Sequence, residues 1–277
     1  MMNSKKTRLD SLIVEKGLTQ SRNRALALIL EGKVYVNNEK IEKAGTRVDI
    51  SSEVSIRGQK DNWVSRGAYK LLHALDVFPV DPSGKICLDV GSSTGGFCQV
   101  LLSRGAKKIY SVDVGYGQLA WQLRNDERVV VMERTNARNL GPERFSEKID
   151  LVTIDVSFIS LTKIFPAIET LIAPGGRIIC LVKPQFEAGR EKVGKNGVVR
   201  DLSVHNKVLT EIADFIETKS HLDLLDIAFS PIKGPKGNIE FLFYISFDVK
   251  PDNSNITRDM INRIVFEGHN KLNKENN

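Results

Sequence analysis

The sequence predicts an α/β protein with a doubly wound, Rossmann-like sheet, preceded by a smaller α+β domain. From about residue 68 onward, strand-like apolar runs alternate with helical stretches, which is typical of a mostly parallel sheet covered on both faces. A glycine-rich turn, "DVGSSTGG", joins the first of these strands to a helix. Positive charge is concentrated at the front, since residues 1–60 carry a net charge of +5 and the other residues together carry +1.

The front part of the chain predicts two helices followed by a small sheet. Leu9, Leu12 and Ile13 have helical spacing, and a second helix follows Ser21, a residue type that caps helix N-termini. Short strands are predicted in "KVYVN", "EKI" and "EVSI". The excess of positive charge favours binding to a polyanion, although composition alone also allows an ordinary solvated surface.

The predicted domain boundary lies in the polar, glycine-containing stretch "RGQKDNWVSRG", at residues 57–67. We therefore divide the chain into a first domain at residues 1–60, a linker at 61–66 and a second domain at 67–250. Residues 251–277 form a C-terminal segment. Its end, "EGHNKLNKENN", is polar and is predicted to be disordered.

The second domain begins with a predicted helix, "AYKLLHAL". Five strands then follow in "KICLDV", "KKIYSVDV", "RVVVME", "IDLVTIDV" and "GRIICLVK", with helices between them in "FCQVLLSR", "QLAWQLRN" and "LTKIFPAIETLI". Two further strands, "LDLLDIAFS" and "NIEFLFYISF", are separated only by "PIKGPKG". That connection is too short for a helical crossover, so the last strand is predicted to be antiparallel.

The cysteines and the N-terminus indicate the cellular compartment. Cys87, Cys98 and Cys180 lie within apolar runs at no metal-like spacing, which predicts buried thiols in a reducing cytoplasm. The N-terminus is polar and basic, so no secretory signal is predicted, and no apolar run approaches the roughly 18 residues of a membrane span. The four histidines form no metal-like cluster. We expect a cytoplasmic monomer that uses no metal.

The glycine-rich turn predicts the cofactor. It lacks the Lys of a P-loop and the spacing of a dinucleotide fingerprint. Asp89 at the strand end would repel a pyrophosphate and suits a cationic ligand, and S-adenosylmethionine carries an ammonium and a sulfonium and no phosphate. Asp113, about 20 residues on, suits ribose hydroxyls, and Asn136 suits adenine. The alternative is a tight turn without a ligand. The predicted cofactor residues are Asp89, Gly91, Ser92, Ser93, Thr94, Gly95, Gly96, Phe97, Asp113, Val114, Asn136, Ala137 and Asp155.

Four charged residues are predicted to meet at the carboxyl edge of the sheet. The fourth strand ends at Asp155 and the fifth at Lys183, the last strand begins near Glu240, and Lys70 lies on the helix before the first strand. The ends of parallel strands and the start of an antiparallel one share an edge. Two lysines and two acids could therefore lie beside the methyl donor, although a surface salt bridge is the alternative for each residue alone.

This group suits methyl transfer to a hydroxyl. The motif of amino-group methylases, Asn or Asp followed by Pro-Pro and an aromatic residue, is absent, and Cys180 lies in an apolar run where a thiol nucleophile for carbon methylation is not expected. A ribose 2′-hydroxyl must lose its proton to attack, and a lysine can accept that proton when burial and a neighbouring cation favour its neutral form. We predict that Lys183 lies nearest to the attacking hydroxyl, with Asp155 and Glu240 orienting the lysines and Lys70 as the second cation.

Basic residues in both domains are predicted to contact RNA phosphates. The stretch "EAGREKVGKNGVVRD", residues 187–201, follows the fifth strand and is predicted to be a lid or an RNA clamp, with a flexible loop as the alternative. Phe158 could contact the cofactor or a flipped base, or lie in the core. The predicted RNA-binding residues are Arg8, Arg22, Arg24, Lys33, Lys40, Arg66, Arg190, Lys192, Lys195 and Arg200.

Seven motifs carry a resemblance to a known family: "SRGAYKL", "LDVGSSTGGF", "VDVGYGQLAWQLRND", "RTNAR", "IDVSFISL", "LVKPQFEAGREKVGKNGVVRD" and "GNIEF". From about residue 6 to residue 248, the chain resembles the TlyA, or haemolysin A, family of bacterial ribosomal RNA 2′-O-methyltransferases. The resemblance implies an RNA-binding module like one in a small-subunit ribosomal protein (S-four type), joined to an FtsJ-like, S-adenosylmethionine-dependent methyltransferase domain. It also implies a Lys-Asp-Lys-Glu tetrad, which falls on Lys70, Asp155, Lys183 and Glu240.

The resemblance further implies that the targets are cytidine 2′-hydroxyls of ribosomal RNA within ribosomal subunits. Some members modify only the large subunit, and others modify both subunits. Longer members carry an additional C-terminal helix, which in this chain would be "TRDMINRIVFEGH". We therefore expect this protein to modify both subunits. The linker departs from the pattern of some members, because Asp61 rather than a basic residue stands two positions before Trp63. A non-catalytic ribosome-assembly factor and a membrane-lytic haemolysin are the alternatives.

Overall fold

The computed structural model divides the chain into two compact units, Met1–Asn62 and Trp63–Asn277. Each unit has its own hydrophobic core. Asp61, which departs from the family pattern in the linker, lies outside the described residues. The structure describes residues 6–19, 21–56, 63–248 and 256–274.

The N-terminal unit packs two helices against short antiparallel strands. Leu9, Ile13, Leu28 and Val34 are fully buried in its core, and the Ser21 hydroxyl accepts a hydrogen bond from the Arg24 N–H, which confirms Ser21 as an N-cap. Its described elements are β1 (Lys6–Arg8), α1 (Leu9–Glu15), α2 (Arg22–Leu30), β2 (Val34–Val36), β3 (Glu39–Lys40), β4 (Arg47–Asp49) and β5 (Val54–Ile56).

Two of these strands were missed by the sequence analysis. β1 and β4 have three residues each and pair antiparallel with one another, whereas β2 lies between β3 and β5 in a separate sheet. Arg8, expected at the start of the first helix, is the last residue of β1. Strands of this length carry no alternating apolar pattern, because their pairing depends on a partner that lies far away in the sequence.

The second unit contains the alternation that the sequence predicted. Its described helices are α3 (Ala68–Val77), α4 (Gly96–Ser103), α5 (Trp121–Arg124), α6 (Phe165–Leu171), α7 (Pro184–Glu187), α8 (Leu202–Lys219) and α9 (Arg258–Lys274). Its strands are β6 (Ile86–Val90), β7 (Lys108–Val112), β8 (Val129–Met132), β9 (Ile149–Ile154), β10 (Ile172–Val182), β11 (Leu222–Phe229) and β12 (Phe241–Phe247). The sequence analysis gave no helix for α8, and α5 is shorter than expected.

The seven strands form one sheet in the order β11-β12-β10-β9-β6-β7-β8. Neighbouring strands from β10 to β8 are parallel, and β12 runs antiparallel to both of its neighbours, as predicted. Successive residues of a strand face opposite sides of the sheet. On β6, Leu88 accordingly belongs to one core cluster and Cys87 to the other, so helices cover both faces and the sheet is doubly wound.

All three cysteines are buried and free, as expected. Cys180 lies in the middle of β10 with no exposed surface, and burial raises the pKa of its thiol. A thiol in this environment stays protonated and is a poor nucleophile. Its position therefore agrees with the exclusion of a thiol-dependent methyl transfer to carbon.

The C-terminal end of the chain differs from the sequence prediction. The residues from Glu267 to Lys274, expected to be disordered, continue α9. Ile261, Val265 and Leu272 bury their side chains in the core that β11 and α8 also line, and this packing stabilises a helix whose composition is mostly polar. His269 also hydrogen-bonds the buried His205 of α8, at 2.8 Å between ring nitrogens. The final three residues lie outside the described residues.

Candidate active site

The sheet register brings three of the four predicted catalytic residues to one edge. Val182 of β10 pairs with Phe241 of β12, so Lys183 follows one strand directly where Glu240 precedes the other. Ile154 of β9 pairs with Val90 of β6, and Asp155 follows it at the same edge. The fourth residue, Lys70, reaches this edge from the first turn of α3.

The four side chains form a continuous row of alternating charge. Lys70 Nζ lies 2.6 Å from Glu240 Oε2 and 3.9 Å from Asp155 Oδ2. Lys183 Nζ lies 2.6 Å from Asp155 Oδ1. The order is therefore Glu240, Lys70, Asp155, Lys183, with an acid between the two lysines.

Exposure differs along this row, and Asp155 is its most exposed member. Glu240 has no exposed surface, whereas the Asp155 side chain is 20% exposed. The loop between β11 and β12 closes over Glu240, because a side chain on Gly234 would lie only 2.0 Å from Glu240 Oε1. Lys70 consequently pairs with a carboxylate that water does not reach, and Asp155 is the member most open to solvent, since the Lys183 side chain is only 9% exposed.

Three further residues lie beside Lys183, namely Ser157, Phe158 and Phe186. The Lys183 ammonium donates a hydrogen bond to Ser157 Oγ at 3.1 Å, a contact that the sequence analysis missed. Phe158 is 90% exposed, which excludes the core position considered for it, and it adopts a left-handed backbone conformation with φ of 65°. Its ring lies 4.8 Å from that of Phe186. An aromatic pair of one exposed and one half-buried ring therefore stands next to Lys183.

The glycine-rich turn lies directly against this site. Gly91 has φ of 83°, and a Cβ there would lie 2.7 Å from the backbone oxygen of Asp155. Ser93 donates its N–H to Asp113 Oδ2 at 2.7 Å, and the Gly115 N–H donates to Asp113 Oδ1 at 2.7 Å. The carboxylate at the end of β7 thus connects the glycine turn to the loop that follows β7.

The other predicted cofactor residues divide into an exposed and a buried group. Thr94, Val114 and Asn136 are exposed, and the Asn136 side chain also accepts a hydrogen bond from the Arg138 N–H. Gly95 has φ of 96° and caps α4, where only a glycine is free of strain. The remaining buried members are Ser92, Gly96 and Ala137.

Asp89 and Phe97 do not lie where the sequence analysis expected. Asp89 has no exposed surface and accepts a hydrogen bond from Thr153 Oγ1 at 2.9 Å, and burial raises its pKa to about 7. Phe97 is 4% exposed and packs in the core beneath α4. The strand end and the first turn of α4 direct both side chains into the interior, and contact of either with a ligand stays a prediction.

The predicted RNA-binding residues of the second unit border two grooves. Lys192, Lys195 and Arg200 line a groove of about 370 Å³ in the 187–201 loop, and Arg190 shares a short 3₁₀ turn with Lys192. Arg66 lines a second groove, of about 620 Å³, and donates a hydrogen bond to the Lys233 carbonyl. Two lysines of this groove, Lys233 and Lys236, were missed, although the segment "PIKGPKG" ends only a few residues before Glu240.

In the N-terminal unit, the predicted RNA-binding residues are held in ion pairs, apart from Arg24, which is exposed. Lys33 pairs with Glu31, and Lys40 pairs with Glu42 at 2.6 Å. Arg8 and Arg22 both contact Asp10. Arg8 and Arg22 are thus brought together on one carboxylate.

Residues 63–247, which contain the whole row of alternating charge and the glycine turn, match the family model of the FtsJ-like methyltransferases. The chain belongs to this family. Residues 7–54 match the model of the S4 domain. The second unit is therefore a methyltransferase unit, and the N-terminal unit has the fold of an S4 domain.

Curated relatives cover nearly the whole chain. It is 40% identical to the 16S/23S rRNA (cytidine-2′-O)-methyltransferase TlyA of Mycobacterium tuberculosis, over 96% of this chain and 99% of the relative. It is 42% identical to Hemolysin A of Brachyspira hyodysenteriae, over 85% and 98%. A solved structure from Streptococcus thermophilus, provisionally described as a hemolysin, matches with a TM-score of 0.74 and 41% identity over 98% of both chains.

In the described part of the chain, no helix has the length and apolar character needed to cross a bilayer. Among the same residues, no three or more His, Cys, Asp or Glu side chains are grouped as metal ligands. The charged row itself contains two ammonium groups between and beside its carboxylates, an arrangement that disfavours cation binding.

Proposed function

We propose that this protein transfers a methyl group from S-adenosylmethionine to the 2′-hydroxyl of cytidine in ribosomal RNA, in both ribosomal subunits. The observation that carries the proposal is the row Glu240, Lys70, Asp155, Lys183, which lies against the glycine turn. The Mycobacterium tuberculosis relative, whose name includes both 16S and 23S rRNA, supports the choice of substrate. Action on ribosomal subunits as a monomer in the cytoplasm is part of this proposal.

The glycine turn and the Asp113 carboxylate fit the cofactor. Ser93 and Thr94 are exposed on the turn, and Asp113 is hydrogen-bonded to its backbone beside the exposed Val114 and Asn136. We assign the methionine part to the turn, the ribose to Asp113 and the adenine to the Val114–Asn136 side. When bound, S-adenosylmethionine supplies a methyl group on a positively charged sulfur, which is the electrophile of the reaction.

Lys183 is assigned as the group that accepts the proton of the 2′-hydroxyl. It lies at one end of the row, beside Asp155, the most exposed member, where a ribose can approach. Lys183 must first release its own proton to solvent. As the oxygen–methyl bond forms and the methyl–sulfur bond breaks, which leaves S-adenosylhomocysteine, the hydroxyl proton passes to the amine of Lys183. The resulting ammonium is stabilised by Asp155 at 2.6 Å and by the Ser157 hydroxyl at 3.1 Å.

Lys70 and Glu240 are assigned to positioning. Lys70 lies 3.9 Å from Asp155 and adds a positive charge behind the carboxylate that contacts Lys183. Glu240 balances Lys70 in a region that water does not reach. Without Glu240, burial of the Lys70 ammonium would be strongly unfavourable.

The RNA is proposed to bind with its target nucleotide turned out of the stack. The exposed Phe158, whose ring contacts the half-buried Phe186, offers an aromatic surface to the base next to Lys183. Arg66 and the basic residues of the 187–201 loop would bind phosphates on either side. The S4 domain would supply further phosphate contacts.

The proposal is tested with purified protein, tritiated S-adenosylmethionine, and ribosomal subunits from a bacterial strain that lacks such a methyltransferase. We expect label in RNA that survives alkaline hydrolysis as a protected dinucleotide, because a 2′-O-methyl group blocks cleavage of the adjacent bond. Separate reactions with small and large subunits show which is modified. Label in base rather than ribose, or no label on either subunit despite cofactor binding, would contradict the proposal.

Replacement of Gly91 by alanine should abolish cofactor binding. The added methyl group would lie 2.7 Å from the Asp155 carbonyl oxygen and 3.2 Å from the Val156 nitrogen, both backbone atoms, at a φ of 83°. The turn must therefore move away from the tetrad. Isothermal titration with S-adenosylhomocysteine measures the loss. Gly84→Ala is the matched control, because Gly84 has φ of 69° but nothing within 4 Å of the new methyl group; it should bind like the unmodified protein.

A further inference from the structure

A buried carboxylate joins two arginines in the N-terminal unit. Asp10, in the first turn of α1, is 6% exposed. Arg8 Nε and Nη2 donate to its two oxygens at 3.0 Å each, and Arg22 Nη2 donates to Oδ2 at 2.9 Å. The Ser11 N–H donates to Oδ1 at 2.9 Å. Asp10 thus accepts four hydrogen bonds and links β1 to the start of α2.

The two arginines remain open to solvent on their other sides. The side chains of Arg8 and Arg22 are 51% and 58% exposed, whereas that of Asp10 is 8% exposed. Hydrogen bonds from Arg8, together with those from Arg22, lower the pKa of the Asp10 carboxyl far below its usual range. The carboxylate is therefore ionised at any physiological pH and holds both guanidinium groups continuously.

This arrangement differs from an ordinary surface ion pair. The Lys40–Glu42 pair of the same unit has both partners exposed, at 48% and 63%, so either side chain can swing away. The Arg8–Asp10 contact uses two parallel hydrogen bonds to a buried acceptor, which fixes the plane of the guanidinium. Because both Nη2 atoms contact the same oxygen, the two cations stay close together despite their mutual repulsion.

We propose that Asp10 is a positioning residue for RNA binding, which holds Arg8 and Arg22 side by side as one preformed site for RNA phosphate groups. This rests on the proposed function, in which the S4 domain binds ribosomal RNA. Five N–H donors on each guanidinium leave several that do not face Asp10, and these can donate to phosphate oxygens. A preformed pair avoids the loss of side-chain freedom that two independent arginines would incur on binding.

The proposal and simple electrostatics predict opposite changes in RNA affinity when the charge of Asp10 is removed. Asp10 carries a negative charge next to a site that binds a polyanion, so its removal by charge alone would tighten RNA binding. If Asp10 positions the arginines, Asp10→Asn weakens binding even though the net positive charge of the unit increases. The sign of the change therefore separates the two explanations.

The experiment measures the affinity of the full chain for purified ribosomal subunits and the kinetics of methyl transfer. We expect Asp10→Asn to weaken binding about 5- to 10-fold, the loss of roughly one charge-assisted contact. KM for the subunits should rise to a similar extent while kcat stays unchanged, because the tetrad lies in the other unit. Asp10→Glu, which keeps the charge but displaces the carboxylate, should also weaken binding, and circular dichroism checks that both variants fold.

Asp126→Asn is the matched control. Asp126 accepts from Nε and Nη2 of Arg128 at 2.9 and 2.7 Å, the same two-residue spacing and geometry, but it lies in the methyltransferase unit. We expect the affinity of the Asp126→Asn variant for ribosomal subunits to stay within about 2-fold of that of the unmodified protein, since no phosphate contact is assigned to Arg128.

The double variant Arg8→Ala/Arg22→Ala separates a positioning role of Asp10 from a role in stability, and it tests whether this surface binds RNA. Asp10→Asn should have no further effect in this background, because no guanidinium is left to position. A further loss there would mean that Asp10 acts only through the stability of the fold. Unchanged or tighter binding of Asp10→Asn alone would also overturn the proposal. If the double arginine variant itself binds subunits normally, the RNA-binding role of this surface fails instead.

Discussion

Lys183→Ala should abolish methyl transfer while leaving the protein folded and able to bind both substrates. Lys183 lies at one end of the tetrad, with Asp155 at 2.6 Å and Ser157 at 3.1 Å. Loss of the proton acceptor for the 2′-hydroxyl should lower the rate of the chemical step by about 10²- to 10⁴-fold. Lys183→Arg should be similarly inactive, because a guanidinium does not accept a proton near neutral pH.

The measurement is a single-turnover assay with saturating S-adenosylmethionine and ribosomal subunits, so that binding defects do not contribute. Lys163→Ala is a suitable control, since Lys163 is an exposed lysine in the 3₁₀ turn after β9 and its replacement changes the net charge equally. Affinities for the cofactor and the subunits should remain within about 3-fold, as expected for a group that acts in the transition state. A rate within tenfold of the unmodified protein would rule out Lys183 as the proton acceptor.

The positions of the tetrad could be predicted because they follow from sheet topology. Asp155, Lys183 and Glu240 each stand next to a strand end, and the carboxyl ends of parallel strands share an edge. The short "PIKGPKG" connection identified β12 as antiparallel, which brings the start of that strand to the same edge. Apolar runs and connection lengths are local features, and a sequence records them directly.

The features that were missed depend on contacts between distant segments. Asp89 stands at a strand end like Asp155, yet it points inward because Thr153 of the neighbouring strand provides a buried hydrogen-bond partner. Phe158 stands in an apolar stretch, yet its left-handed backbone turns the ring outward. The helical end of α9 depends on a core that α8 and β11 also form. No local pattern encodes such partners, so periodicity alone could not find them.

Lys70→Ala should have a second effect that Lys183→Ala lacks, a large loss of stability in the methyltransferase unit. Glu240 has no exposed surface, and Lys70 is the cation that contacts it, at 2.6 Å. Without Lys70 the Glu240 carboxylate is buried with no neighbouring cation, which should lower the free energy of unfolding by about 3–5 kcal/mol. Lys183→Ala removes a partner from Asp155, whose side chain is 20% exposed and still lies 3.9 Å from Lys70. Water can solvate the Asp155 carboxylate, so Lys183→Ala should lower the free energy of unfolding by less than about 1.5 kcal/mol.

Urea denaturation followed by tryptophan fluorescence measures this difference in the right unit, because both tryptophans of the chain, Trp63 and Trp121, belong to the methyltransferase unit. The double variant Lys70→Met/Glu240→Gln tests the cause. It removes both buried charges and should regain most of the lost stability, but it should remain inactive because Asp155 loses the cation behind it. Equal destabilisation by Lys70→Ala and Lys183→Ala would contradict this expectation, which rests on the complete burial of Glu240 and the partial exposure of Asp155. Recovery of activity in the double variant would show that the buried pair serves stability alone.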